Sequence, residues 1–149
     1  MPDTPEASRP ETIIAFDFGL RRIGVAVGQT ITASASPLGV VANSDGGPDH
    51  ARIGALLDEW RPARLVVGLP AHADGTPSDI EKQVRDFIAD LQRYGLPIST
   101  VDERYTSIEA EAVLKRARSE GSRGRVSKEA IDTAAAVFIA ERYLAGVRH

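Results

Sequence analysis

Three acidic positions carry the chemistry this chain offers. Asp17 ends the apolar run Ile13-Ile14-Ala15-Phe16. Asp102-Glu103 follows a second run, Leu96 to Val101. Asp132 falls near the first turn of a helical stretch that begins at Lys128. A carboxylate at the end of a buried strand is costly unless a cation pairs with it. For Asp17 that cation is a metal ion or the guanidinium of Arg21 or Arg22. Hard cations such as magnesium take carboxylate oxygens and keep several waters. Two such ions activate a water and stabilise the leaving oxygen in phosphodiester cleavage. Clustered carboxylates repel one another without cations, so a site built from them depends on metal.

Each acid also has a plainer reading. Asp17-x-Gly19 suits an ordinary hairpin turn. Asp102-Glu103-Arg104 suits a solvated strand end with a local ion pair. Asp132 near a helix start is favoured by the helix dipole whatever the chemistry. Adjacent strand residues face opposite ways, so only one of Asp102 and Glu103 can share a face with the site. His50, His72 and His149 are scattered and have no zinc-ligand spacing.

The elements that must hold these acids follow from periodicity. Thr12–Asp17 is too short and apolar for a helix and reads as a strand. Gly19–Arg22 turns it into a second strand, Ile23–Gly28. Ile31–Val41 reads as a third, with Pro37 placing it at an edge or a bulge. Asn43–Pro48 is a loop by composition. Asp49–Trp60 has helical spacing at Ile53, Leu56, Leu57 and Trp60, and Pro62 ends it. Arg64–Pro70 has the continuous apolar character of a buried parallel strand and its turn. After the polar loop Ala71–Pro77, Ser78 with Glu81 forms a capping-box pattern for a helix that stops near Tyr94-Gly95. Leu96–Val101 is the fifth strand. Thr106 or Ser107 caps a further helix, Ser119–Val126 is a Gly-, Ser- and Arg-rich loop, and Ser127 caps a last helix from Lys128 to about Leu144. Three meandering strands, then two alternating with helices, predict an α/β fold. It is a mixed five-stranded sheet, three antiparallel strands then two parallel, with helices on both faces. Functional sites gather at the carboxyl ends of the parallel strands in such a sheet, where Asp17 and Asp102-Glu103 lie.

Composition narrows the function classes. The 149 residues suit one domain, here 12–149, behind a polar leader at 1–11 that is expected to be disordered and has no signal-peptide core. The absence of cysteine excludes disulfides, thiolate catalysis and Cys-based zinc sites, and fits a reducing cytoplasm. No apolar run approaches the ~20 residues that span a bilayer. A net charge of −3 disfavours a general nucleic-acid coat, yet the charge is uneven. Arg104, Lys115, Arg116, Arg118, Arg123, Arg125 and Lys128 crowd one stretch with few acids among them.

Four segments in order resemble the YqgF (RuvX) family. They are Phe16-Asp17-Phe18-Gly19-Leu20-Arg21-Arg22-Ile23-Gly24-Val25-Ala26; Val66-Val67-Gly68-Leu69-Pro70 followed by Asp74-Gly75; Asp102-Glu103-Arg104-Tyr105-Thr106-Ser107; and Ile131-Asp132-Thr133-Ala134-Ala135-Ala136. The resemblance runs from about Thr12 to Leu144. It implies an RNase H-like fold. It also implies a nuclease that matures the 5′ end of the 16S ribosomal RNA precursor, or a Holliday junction resolvase. Asp17, Glu103 and Asp132 match the family's proposed catalytic acids, here the ligands of one or two Mg2+ or Mn2+ ions. Related nucleases often carry an acid after the fourth strand. Gly68-Leu69-Pro70 stands there, so Glu103 takes that role.

The expected partner is nucleic acid. Arg21, Arg22 and Arg104 would orient phosphates, and Arg116, Arg118, Arg123 and Arg125 would grip the backbone. Branched DNA is the alternative to ribosomal RNA precursor, and a symmetric junction cut would need two active sites and so a dimer. The oligomeric state stays open between monomer and weak dimer. A non-catalytic RNA-binding assembly factor is the rival that is not an enzyme. An actin-like phosphotransferase also uses Asp-x-Gly turns, but closes two such domains round a nucleotide, and this chain is too short for two.

Overall fold

The apolar runs pair into one sheet. In the computed structural model, residues 11–69, 80–102 and 128–146 are described, the last segment with side chains from 133 onward. The strands are β1 (Thr12–Asp17), β2 (Arg22–Gln29), β3 (Ser34–Ala42), β4 (Arg64–Leu69) and β5 (Ile98–Asp102). The helices are α1 (His50–Trp60), α2 (Glu81–Leu91) and α3 (Lys128–Gly146), with a 3-10 turn at Gln92–Tyr94. The sheet order is β3-β2-β1-β4-β5. β1–β2 and β2–β3 are antiparallel, while β1–β4 and β4–β5 are parallel. The α/β architecture is therefore the expected one.

Both faces of the sheet are covered. Ile14, Phe16, Leu65 and Val67 pack with α1 and α2 through Ile53, Leu56, Val84, Phe87 and Leu91. Ile13, Ala15, Val66 and Val101 pack on the other face with Ile139, Ala140 and Leu144 of α3. The period of two in β1 thus sorts its residues between two cores. Among the described residues, no helix is long and apolar enough to cross a membrane.

Local chemistry sets the ends. Asp49 caps α1, its Oδ1 accepting from the Arg52 N–H at 3.2 Å. Arg61, left-handed at φ 46°, closes the same helix just before Pro62. Gly95, at φ 72°, ends the 3-10 turn. The third strand starts later than Ile31: Thr30 to Ala33 form the hairpin turn, and Ile31 is 71% exposed because no face is left to bury it. Pro37 does stand on the edge strand, beside an irregularity that pairs Val25 with Gly39 and Ala26 with Pro37.

The capping-box expectation for α2 fails. The helix begins at Glu81 with Ile80 as its cap, and among the described residues no side chain caps it. Glu81 is therefore the first helical residue rather than the third, and its Oε2 accepts from Arg85 Nε at 3.1 Å. Ser78, the loop Ala71–Pro77, the helix from Thr106 or Ser107, the loop Ser119–Val126 and the Ser127 cap all lie outside the described residues. So do positions 1–10 of the leader. Glu11, its last residue, pairs with Thr30: its N–H donates to Thr30 Oγ1 at 2.8 Å.

Candidate nuclease site

β1 delivers Asp17 to its carboxyl end, and the pleat decides where the carboxylate stands. Asp17 has the parity of Ile13 and Ala15, which pack under α3. Across the antiparallel ladder Asp17 faces Gly24 of β2. On the other side Phe16 pairs with Val67 of β4, so Gly68 lies abreast of Asp17. Gly68 in turn pairs with Val101 of β5. Gly24, Asp17, Gly68 and Val101 thus form one row across four strands, on the face that α3 covers. Both glycines are buried. The acid stands on a floor whose two neighbouring positions carry no side chain.

The turn after Asp17 is tightly held. A Cβ on Gly19 would lie 2.4 Å from the Arg22 carbonyl oxygen, so only glycine fits the turn as it stands. Asn43, at the end of β3, donates from Nδ2 to the Gly19 carbonyl at 2.8 Å, and its backbone N–H donates to the Arg21 carbonyl at 3.0 Å. Arg22 opens β2 with the parity of Gly24, on the face of Asp17. Arg21 is exposed in the turn.

The choice between Asp102 and Glu103 narrows. Asp102 pairs with Leu69 and has the parity of Ile98, which packs on the α1–α2 core. Asp102 therefore occupies the face opposite Asp17. Its carbonyl accepts from Arg142 Nη1 of α3 at 3.1 Å. Glu103, Arg104, Arg116, Arg118, Arg123 and Arg125 lie outside the described residues. Asp132 lies on the backbone of α3, three and four residues before Ala135 and Ala136, both buried. Among the described residues no group of three His, Asp or Glu side chains is gathered that could hold a metal. Asp17 is the one proposed ligand whose side chain is described.

One polar cluster escapes sequence reasoning. His50 of α1 contacts Asp90 Oδ2 through Nε2 at 2.6 Å and the Tyr94 hydroxyl through Nδ1 at 2.7 Å. Arg93 Nη2 donates to Asp90 Oδ1 at 2.7 Å. Burial pushes the Asp90 carboxyl up, but the hydrogen bond and charge of His50, with Arg93, outweigh it and hold it below the usual value. Burial pushes the Tyr94 phenol up, Asp90 adding to the rise and Arg93 opposing it. No local spacing signals this contact, because His50 and Asp90 are 40 residues apart.

Known proteins bear on this geometry. The sequence model of RuvX, described as a Holliday junction resolvase, matches residues 11–146. The chain belongs to the RuvX family. A relative from Burkholderia lata, named as a candidate pre-16S rRNA nuclease, is 48% identical over 139 residues, covering 93% of this chain and 91% of that one. One from Burkholderia multivorans, with the same name, is 46% identical at the same coverage. Among solved structures, Thermus thermophilus RuvC in complex with a Holliday junction substrate superposes with a TM-score of 0.60. It is 18% identical and covers 92% of this chain and 95% of that one. The fowlpox virus resolvase in complex with Holliday junction DNA gives 0.55 at 10% identity, covering 93% and 99%. These likenesses establish that the RuvX chain shares the resolvase fold, the RNase H-like architecture its motifs imply.

Proposed function

We propose that this RuvX chain is a metal-dependent endonuclease that acts on the precursor of 16S ribosomal RNA. One observation carries the reading: Asp17 stands at the carboxyl end of the central strand between two buried glycines. Such a position fits a hard cation, because carboxylate oxygens are its preferred donors. The names of the Burkholderia relatives support the substrate.

Asp17, Glu103 and Asp132 are the proposed ligands of one or two Mg2+ or Mn2+ ions. Asp102 lies on the face opposite Asp17, which leaves Glu103 as the acid proposed from this pair. Asp132 keeps helical register with Ala135 and Ala136, whose side chains are buried. Bound there, the metal supplies Lewis-acid activation of a water and stabilisation of the departing oxygen. The chain's own part is to position. Arg22, on the face of Asp17, and Arg21 beside it orient phosphate oxygens through bidentate guanidinium contacts. Arg104, Arg116, Arg118, Arg123 and Arg125 add the grip on the backbone. The reading places the protein in the cytoplasm, as monomer or weak dimer.

A second reading keeps the chemistry and changes the substrate to branched DNA. The description of the family favours it. Both are tested by offering ribosomal RNA precursor and four-way junction DNA in one cleavage assay, with magnesium or manganese, to wild type and Asp17→Asn. Preferred cutting of the RNA, lost in Asp17→Asn, is the expected result. Preferred junction cutting selects the second reading. Equal cutting by a clean Asp17→Asn preparation removes the active-site assignment, and cutting by neither protein leaves the non-catalytic RNA-binding factor.

A further inference from the structure

A groove of about 720 Å³ opens between the β1–β2 turn, the loop after β3 and helix α2. It lies on the α1–α2 side of the sheet, behind Asp17. Phe18, Leu20 and Phe87 give it an apolar lining. Phe18 and Phe87 meet tilted at 43° with ring centres 5.3 Å apart, and Phe87 also meets Phe16 edge to face at 5.5 Å. Leu20 is 54% exposed, a large aliphatic side chain left in water beside a concavity. Asp45, Asp86 and Asp90 line the same groove. The cations that pair with Asp86 and Asp90, which are Lys82, Arg93 and His50, are not among the lining residues.

The walls are fixed. Asn43 joins the loop to the Gly19 turn, and its Oδ1 accepts from the Ser44 N–H at 2.9 Å. His50, at the start of α1, is held to Asp90 on α2. A groove already shaped loses little freedom when it is filled. Its volume lies within the range of ordinary ligand sites, roughly 300–1,000 Å³.

We propose that this groove docks a peptide segment of a protein partner in which an apolar side chain is flanked by lysine or arginine. The apolar lining takes the side chain; Asp45 takes one flanking cation and Asp86 a second in place of its exposed pair with Lys82, while Asp90 stays engaged by His50 and Arg93. A nucleic-acid backbone would meet those carboxylates as like charge, so the groove is not an extension of the nucleic-acid surface. Asp17 faces the opposite side of the sheet, so an occupied groove leaves it open. The inference does not require that the chain cut RNA.

The test selects from a phage-displayed library of random dodecapeptides against the full-length protein. Enriched peptides are synthesised and their affinities measured for wild type, Leu20→Ser and the double variant Asp45→Lys, Asp86→Lys. Leu20 stands in the turn that carries Arg21 and Arg22, and Asp86 also pairs with Lys82, so thermal melts verify that the variants fold and RNA anisotropy that the turn is intact. Enrichment of peptides with an apolar residue beside Lys or Arg is expected, with affinity falling about tenfold or more in each variant. Amide shifts at Phe18, Leu20 and Phe87 on titration should locate them. An excess of ribosomal RNA precursor should not displace them. No enrichment, peptides without that pattern, affinities unchanged by the substitutions, or displacement by RNA would each overturn the proposal. Loss of nuclease activity in Asp17→Asn with peptide affinity intact separates this surface from the proposed active site.

Discussion

His50 and Asp90 meet at 2.6 Å and tie the first turn of α1 to the last turn of α2. The contact is largely shielded, with side-chain exposures of 22% and 31%. Asp90 has a folded pKa below its ordinary 3.8. A depressed carboxylate stabilises the fold above its unfolded value and stops doing so as pH falls through its folded value. His50→Gln should therefore lower stability by about 1 kcal/mol at pH 5, or roughly 3 °C in Tm for a chain of this size. The gap between wild type and variant should close as the pH drops below 3.8. Thermal melts from pH 2 to 6 measure it. A gap that stays constant across that range would show that Asp90 does not supply it.

The turn after Asp17 makes a second prediction. Gly19→Ala puts a carbon 2.4 Å from the Arg22 carbonyl oxygen, closer than real contacts allow, so the backbone must move. We expect a loss of about 1–3 kcal/mol, the range for a strained small-to-large change. Asn43→Ala removes the hydrogen bond to the Gly19 carbonyl and should cost about 1 kcal/mol. Both should weaken nuclease activity more than their stability loss explains, because the turn carries Asp17, Arg21 and Arg22. Chemical denaturation alongside single-turnover cleavage separates the two effects.

Much of this framework was legible from local pattern. Continuous apolar runs mark β1 and β4 as buried strands, and the period of two holds as far as Asp102, which takes the face opposite Asp17. The missing parts are of two kinds. Ser-x-x-Glu spacing points to Ser78 as a cap, yet α2 starts at Glu81, so the spacing does not apply. His50 stands as a scattered histidine in the sequence because its partner Asp90 is 40 residues away, and only the packing of α1 beside α2 brings them together. Nothing local marks Gly68 as part of a site. Its place beside Asp17 depends on the register of β1 on β4, which composition cannot supply. A buried glycine in a parallel strand whose neighbour ends in an acid is the signal that would have found it.

Arg22 shares the face of Asp17 and serves as a phosphate contact in the proposed site. Each phosphate neutralised releases counterions, so the logarithm of affinity falls with the logarithm of salt by roughly 0.7–0.9 per contact. Arg22→Ala should reduce that slope by about one contact and weaken binding across sequences alike. Fluorescence anisotropy of an RNA fragment at four salt concentrations gives the slope. An unchanged slope would remove Arg22 from the nucleic-acid surface and leave it a structural role.

The glycine row gives the sharpest test of the acid's surroundings. Gly68→Val places a branched side chain on the α3 face, abreast of Asp17, where the sheet carries none. Val has the higher strand propensity, so the backbone gains while the site is crowded. If the floor exists to leave a hydrated cation room beside Asp17, manganese affinity and cleavage should both fall by about tenfold or more, with RNA affinity unchanged. Overpacking the buried row predicts a different outcome, a stability loss of about 1–3 kcal/mol that weakens every property together. Gly68→Ala separates the two, since one methyl group is the smallest side chain that can be placed beside Asp17. Manganese titration calorimetry, RNA anisotropy and a melting curve on Gly68→Ala and Gly68→Val therefore decide it. A selective loss of manganese binding in Gly68→Ala supports the cation floor, and a uniform loss in Gly68→Val alone reduces the glycine to a packing requirement.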